Sequence, residues 1–555
     1  MANAPHVRRV PGGLSRRRLL QMGALGLVGV GVPLLGACGG ENTAGSDRDD
    51  EGGSGEARPD RSAILKWGSM RAESLDPIRQ VAGTEEVWLN AIFDTLLTIS
   101  PIDGTIGPRL AEEWEVDGQR IRLTLRDGVT FQDNTPFDAE AVKFNLDRVL
   151  SDPDSNIRSR IPQLARVRVV DDGTVDLELS EPTPLAVLMA LTNRPGMMAS
   201  PTAVREAGSS AAFSEAPVGC GMYRVEGAWH PRESLSVRAW DGYWDPDAQT
   251  LGGIDFTEVA MSQKVNALRS GSIDIASFEG FDVSALEQED SIRLTVGPAP
   301  RGRGLTVNST IAPLDDLRVR QAIAHAIDRE AVVEALTSGY GEPRYQPFAS
   351  DSPAYDPELD DLYTYDPDRA RDLLAEAGYE DGLSFRSIVG GTATSYVTFG
   401  ELLQAQLREV DIDMDLELVD QASTIPQLFE QDRAASAPIG GGATAAETDL
   451  FIRQYYLRDG AFNAGNTEVR GIRTLLRRAG ASPDTDAARV HYREINRRVL
   501  EDLQQIIPVY AEAAITGHQD YVGGLTRAVL DTDINPELLR GIYITEGREP
   551  APEDD

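Results

Sequence analysis

The side chains able to do chemistry are few in kind and poorly clustered. The 555-residue chain has two cysteines, Cys38 and Cys220, and five histidines, His6, His230, His325, His491 and His518. Two thiols this far apart make no disulfide framework and no cysteine-rich zinc site, and no two histidines have metal-ligand spacing. Cys220 has no histidine in its local sequence and reads as a buried free thiol, not a nucleophile. Gly440-Gly441-Gly442 leads into Ala443 and Thr444 without a lysine, so it is no phosphate loop. There is no Gly-x-Ser-x-Gly elbow and no His-Glu-x-x-His helix. The 89 acids are too numerous for any pair to signal acid–base catalysis, and they read as solvated surface. The sequence therefore asks for no metal, no cofactor and no catalytic activity.

The formal net charge is −36, and residues 1–37 hold five arginines and no acid, so cleavage after Ala37 would take it to −41. A surface that acidic repels phosphate backbones and anionic lipid, which argues against nucleic acid and against adsorption to membranes. With 41% hydrophobic and 26% charged residues the chain has the composition of an ordinary globular protein, of about three domains by length.

The elements that present these residues start with an address. Ser15-Arg16-Arg17-Arg18-Leu19-Leu20-Gln21 precedes an apolar run from Met22 to Ala37, too short to span a bilayer and basic on its N-terminal side. This resembles a twin-arginine export signal over residues 1–37. The run ends Leu35-Gly36-Ala37-Cys38, which resembles a bacterial lipobox with Cys38 as the lipid-bearing thiol. Residues 38–61 are rich in Gly, Ser, Asp and Glu and read as a flexible tether of roughly 25 Å reach, so the folded part is expected from near Ser62, outside the cytoplasmic membrane. An exported, tethered protein without catalytic residues suggests a receptor.

In the folded part, Ile121 to Leu125 and Val175 to Leu179 alternate as half-buried strands. Asp138 caps a predicted helix from Ala139 to Leu150. Tyr223, Trp229, Trp240, Tyr243 and Trp244 read as packing residues of a strand-rich stretch, as does Trp88. From 314 to 510 helix and strand alternate. Val319, Ile323 and Ile327 share a helix face running toward Gly339, with His325 on the wet side. Pro367 starts a helix that Gly378 ends, Val397 to Val410 is helical, Ile412 to Leu418 alternates as a strand, and Ala487 to Leu503 is helical. This alternation argues for an α/β domain.

Several blocks together are specific. They are Ser74-Leu75-Asp76-Pro77, Ile92-Phe93-Asp94-Thr95-Leu96-Leu97, Pro108 to Trp114, Leu123 to Phe131, Pro136 to Val149, Pro217 to Tyr223, Leu268 to Asp274 and Val319 to Arg329. In these blocks the folded part, from about 64 to 540, resembles family 5 of the solute-binding proteins of bacterial ABC importers, the dipeptide-, oligopeptide- and nickel-binding lipoproteins. The resemblance implies an α/β, two-lobed periplasmic-binding-protein-like fold with a hinge. Lobe I would comprise 62–95, 206–304 and 511–545, with an inserted subdomain at 96–205. Lobe II would be 305–510, and 546–555 an acidic tail. It also implies capture of a peptide or similar small polar solute between the lobes and delivery to permease subunits driven by a cytoplasmic ATPase. The chain would be a monomer held to the membrane by lipid alone.

The resemblance places ligand contacts at Gln80, Ala82, Gly83, Thr84 and Glu85 in the first lobe, and at Gly440, Gly441, Gly442, Thr444 and Glu447 in the second. In peptide-binding members an aspartate stands where Thr444 falls here, just ahead of Glu447-Thr448-Asp449-Leu450-Phe451-Ile452. A neutral threonine supplies no charge-assisted bond to a desolvated ammonium. Either Glu447 or Asp449 takes that role, or the glycines open a roomier cleft for an oligosaccharide, a metal chelate or another solute. A ligand-presenting sensor is a further alternative. Arg194 is open between a carboxylate-binding role at the cleft and a structural one.

Overall fold

The computed structural model describes residues 58–69, 72–79, 86–100, 104–231, 233–297, 299, 301–391, 394–430, 434–443, 447–525 and 538–552. The export signal, Cys38, most of the tether, Gln80, Ala82, Gly83, Thr84, Glu85 and Thr444 lie outside them.

Three sheets organise the described residues. A mixed seven-stranded sheet has the spatial order Ile292–Val296, Ile515–Gln519, Ile275–Phe278, Ile64–Ser69, Gly253–Glu258, Ser234–Ala239, Tyr223–Val225. Its central strand, Ile64–Ser69, runs parallel to both neighbours. The second sheet has six strands, Gly341–Pro343, Ile506–Glu512, Arg301–Val307, Ser436–Ala437, Leu383–Gly390, Ile412–Val419. The third is antiparallel and built of Ala111–Asp117, Arg120–Leu125, Thr174–Leu179 and Leu164–Asp171. Each sheet carries its own apolar core: Trp88, Phe256 and Tyr223 in the first, Ile323, Phe399 and Tyr510 in the second, Phe131, Leu146 and Leu177 in the third. Trp88 is fully buried and its Nε1–H donates to Ser69 Oγ at 2.8 Å.

Local chemistry accounts for most element ends. Asp138 accepts from the Ala141 N–H at 2.8 Å and starts the helix Ala139–Ser151. Asp366 does the same for Pro367–Glu376, with proline at the first helical position. The stretch toward Gly339 is two helices, Leu317–Ala326 and Arg329–Thr337, because Asp328 caps the second by accepting from the Ala331 N–H. His325 is half-buried, with Nδ1 2.8 Å from Thr364 O and its ring edge-on to Tyr363. Residues at both ends of the described chain join the body. Pro59 pairs with Thr545, the Asp60 N–H donates to Ile544 O at 2.7 Å, and the Ala551 N–H donates to Asp520 O at 2.8 Å.

The chain passes from the seven-stranded to the six-stranded sheet between Val296 and Arg301, and returns between Glu512 and Ile515. The two crossing strands, Arg301–Val307 and Ile506–Glu512, are antiparallel neighbours, with a register shift between Arg303 and Gly304. Paired crossings of this kind are where two lobes can hinge.

Candidate functional site

The sequence blocks that carry the family resemblance resolve into buried ion pairs. Asp94 Oδ1 accepts from Arg109 Nη1 at 3.1 Å, and its Oδ2 accepts from the Tyr243 hydroxyl and Trp244 Nε1–H, both at 2.8 Å. Asp76 accepts from both Arg148 terminal nitrogens and from the Ser210 hydroxyl. Arg329 is 2% exposed and donates only to backbone carbonyls, among them Arg344 O and Pro508 O at 3.0 Å. Burial pushes its pKa down to about 10. Cys220 is a buried free thiol whose pKa is raised, first by burial and then by Asp94. These groups bind the molecule together.

A different arrangement stands at the crossings. Arg303 Nη1 donates to the Tyr396 hydroxyl at 2.8 Å and Nη2 to Glu512 Oε2 at 3.3 Å, while the Tyr510 hydroxyl donates to Glu512 Oε1 at 3.3 Å. Burial works against the Arg303 cation, but Glu512, Tyr396 and Tyr510 outweigh it and hold its pKa above the ordinary guanidinium value. Just after the strand Ile275–Phe278 of the seven-stranded sheet, Glu279 and Asp282 form a reciprocal cap around Gly280–Asp282. A Cβ on Gly280 would stand 2.2 Å from Thr337 O, so this turn presses directly on the helix Arg329–Thr337. The pKa of Glu279 is raised by burial first, then by Glu512 and Asp282, against the opposing pull of Arg303 and Lys264. Burial likewise raises Asp282. Lys264 is buried and donates to Ser277 O at 3.1 Å. Among the described side chains the cluster thus sets two cations, Arg303 and Lys264, against three carboxylates, Glu279, Asp282 and Glu512.

The predicted glycines reach the same place. The Gly440 N–H donates to Gly304 O at 2.7 Å. A Cβ on Gly442 would lie 2.9 Å from Gly302 Cα, so only glycine lets these two backbones pack. A side chain at Gly441 would meet Tyr455 Oη at 3.0 Å. The space beside these glycines is therefore occupied by the crossing strand and by Tyr455. Burial raises the Tyr455 pKa, with Tyr396 and Glu447 adding to it and Arg303 opposing, which places Glu447 in the same electrostatic neighbourhood.

Glu447 also borders a cavity of about 30 Å³, room for about one water, shared with Arg160, Asn193 and Pro195. In the amide orientation its neighbours favour, Gln163 Oε1 accepts from Arg453 Nε and Nη2 at 3.0 and 2.8 Å. Arg194 is 2% exposed, in the short turn Arg194–Gly196 capped by Asn193. So the Asn193-Arg194-Pro195 turn and Glu447 meet at one seam, although they are distant in sequence. Arg303, Glu279, Glu512, Tyr396 and Tyr455 were not foreseen as site residues. The one local signal was Arg301-Gly302-Arg303-Gly304, two arginines alternating with glycines in a strand that crosses between sheets.

Among the described residues no three or more His, Cys, Asp or Glu side chains are grouped to hold a metal ion. No described helix is long and apolar enough to cross a membrane.

Three sheets, two crossings and a charged cluster between them define a two-lobed binding protein of the periplasmic type. Solved structures share this fold. NikA from Brucella suis in complex with Fe(III)-EDTA superposes with a TM-score of 0.76 at 21% identity, covering 87% of this chain and 100% of that one. The periplasmic binding protein DppA from Helicobacter pylori, in complex with the peptide STSA, gives 0.74 at 20% identity, covering 88% and 99%. Residues 105–463 match the family described as bacterial extracellular solute-binding proteins, family 5 Middle. The glutathione-binding protein GsiB of Shigella flexneri is 32% identical over 434 residues, 75% of this chain and 82% of that protein. The chain belongs to the family 5 solute-binding proteins of bacterial ABC importers.

Proposed function

We propose that this chain is an extracytoplasmic lipoprotein, anchored through Cys38, that captures a peptide or a similar small solute bearing an ammonium group and hands it to an ABC permease. The carrying observation is the excess of carboxylate at the crossings. Glu279 and Asp282 are both raised in pKa, by burial and, for Glu279, also by the nearby Glu512 carboxylate. A desolvated ammonium placed among them relieves that repulsion and gains charge-assisted hydrogen bonds. On this reading Glu279 and Glu512, with Glu447 nearby, take over the charge that Thr444 cannot supply. Arg303, backed by Tyr396, remains to face the solute's carboxylate. The names of the relatives, glutathione-binding protein and a binding protein in complex with a peptide, support the same solute class. In this reading the lobe built on the seven-stranded sheet closes on the lobe built on the six-stranded sheet about the two crossings, which lie at 296–301 and 512–515, a few residues from the bounds expected at 304/305 and 510/511. The chain itself does no chemistry.

Native mass spectrometry of the protein, purified without denaturation, tests this. The expected result is added mass equal to one or more peptides, and a thermal shift of the stripped protein on adding them, since ligand at 100 times its dissociation constant stabilises by about 2.7 kcal/mol. A single added mass of a solute without an amine would overturn the ammonium assignment.

A further inference from the structure

Beside the charged cluster, on the six-stranded-sheet side, lies a cavity of about 250 Å³. That is below the size of a whole small-molecule site and right for one side-chain-sized group. Tyr396 borders it, and Tyr396 is the residue that accepts from Arg303, so the cavity opens next to the cluster. Its wall is a run of rings. Tyr455 lies 5.4 Å from Phe462 and Phe462 lies 5.7 Å from Phe429, centroid to centroid. Ile439 and Ile425 complete the apolar lining, and Ile425 is 40% exposed, which leaves the cavity accessible.

Four residues with a hydroxyl border it, Thr306, Tyr396, Tyr455 and Thr424, and the last carries a buried oxygen without a partner. Thr424 borders the cavity, is 2% exposed, and its Oγ1 has no hydrogen-bond partner in the protein. A buried hydroxyl without a partner is destabilising relative to a satisfied one. An aliphatic occupant would leave that cost in place. A ring with a hydroxyl at its far end would pack against Tyr455, Phe462 and Phe429 in the tilted and edge-on geometries that aromatic pairs prefer, and would also satisfy Thr424. We infer that this cavity is a specificity pocket for a phenol-like group, an aromatic ring carrying a hydroxyl, on the captured solute. The inference rests on the reading of the neighbouring cluster as the solute site, and it narrows the solutes to those presenting such a group.

The test needs no knowledge of the natural solute. The full chain, labelled at its isoleucine δ1 methyls, is titrated with p-cresol and with toluene. Both probes are expected to shift the Ile425 and Ile439 methyl signals, with p-cresol binding about tenfold more tightly. Thr424→Val, which removes the hydroxyl and keeps the shape, should lower p-cresol affinity about tenfold and leave toluene unchanged; unchanged toluene binding also reports that the variant folds. The wild-type ranking alone decides the matter if the variant does not fold. Methyls unmoved by either probe, or p-cresol binding no better than toluene, overturns the pocket. Either failure is separable from failure of the solute-class reading, because a peptide adduct can be found by mass whether or not these fragments bind.

Discussion

Two charged regions of this molecule are built alike and behave differently. At Asp94 one carboxylate faces one guanidinium, Arg109, and both side chains are about 95% buried. Its second oxygen is taken up by Tyr243 and Trp244. Charge is balanced and the acceptors are filled, so nothing is left over for a ligand. At the crossings Arg303 and Lys264 share three carboxylates, Arg303 keeps 23% of its side chain in water, and Glu279 and Asp282 are held above their ordinary pKa. The first arrangement is finished without a partner. Among the described side chains, the second keeps more carboxylates than cations. On the proposed reading, saturation, more than burial or residue type, separates the structural charges from those that meet the solute.

The largest effect should come from breaking the finished pair. Asp94→Ala leaves Arg109 buried without its counter-charge and is expected to destabilise the protein by about 3–5 kcal/mol. The urea midpoint should fall accordingly, and Asp94→Ala combined with Arg109→Met should recover much of the loss, because an apolar pair of similar volume is close to neutral. A double variant no more stable than the single one would show that the pair is not the dominant interaction there.

The unfinished cluster should respond the other way. Glu512→Gln is expected to leave the urea midpoint nearly unchanged while weakening an ammonium-bearing solute about tenfold, or ~1.4 kcal/mol, as read by calorimetric titration. A large stability loss with unchanged affinity would move Glu512 into the structural class and erase the contrast with Asp94.

The smallest effect is the dependence on pH. A carboxyl whose folded pKa is raised holds its proton more tightly in the folded state, so stability falls as pH rises above the ordinary value of 4.5 for Glu279 and through the raised one. Asp282 acts in the same direction. The urea midpoint of the ligand-free protein should therefore decline over that window, and Glu279→Gln should flatten the decline. With an ammonium solute bound the slope should shrink, because the bound charge favours the ionised carboxyl.

Much of the architecture was legible from local chemistry. Asp138, Pro367 and the alternation at 121–125 and 175–179 mark their elements because caps and periodicity act over a few residues. The break at Asp328 was harder to see, since Val319, Ile323 and Ile327 continue one apolar face across it. The family blocks pointed to Asp76, Asp94, Arg109 and Arg329 without saying why. The answer lies in partners 15 to 179 residues away in the chain. Among the predicted site residues, Glu447 and the Gly440–Gly442 run do lie beside the crossings, but the glycines serve close backbone packing against Gly302 and Gly304.

By itself the sequence determined the α/β character, the acidic balance of charge and the position of several helices and strands, because these follow from composition, short-range periodicity and capping; the class of protein came from the resemblance of whole blocks to a known family. The resemblance sets Thr444, a neutral residue, at the position where peptide-binding members carry an aspartate. The groups that the proposed reading sets in its place are brought together only by the tertiary structure. Glu279, Arg303 and Glu512 come from three separated segments, and Tyr396, Thr424 and Phe462 from three more, brought together by two strands that cross side by side between sheets. Their charge imbalance and the unpartnered hydroxyl of Thr424 are properties of that assembly, and no single stretch of the chain contains them.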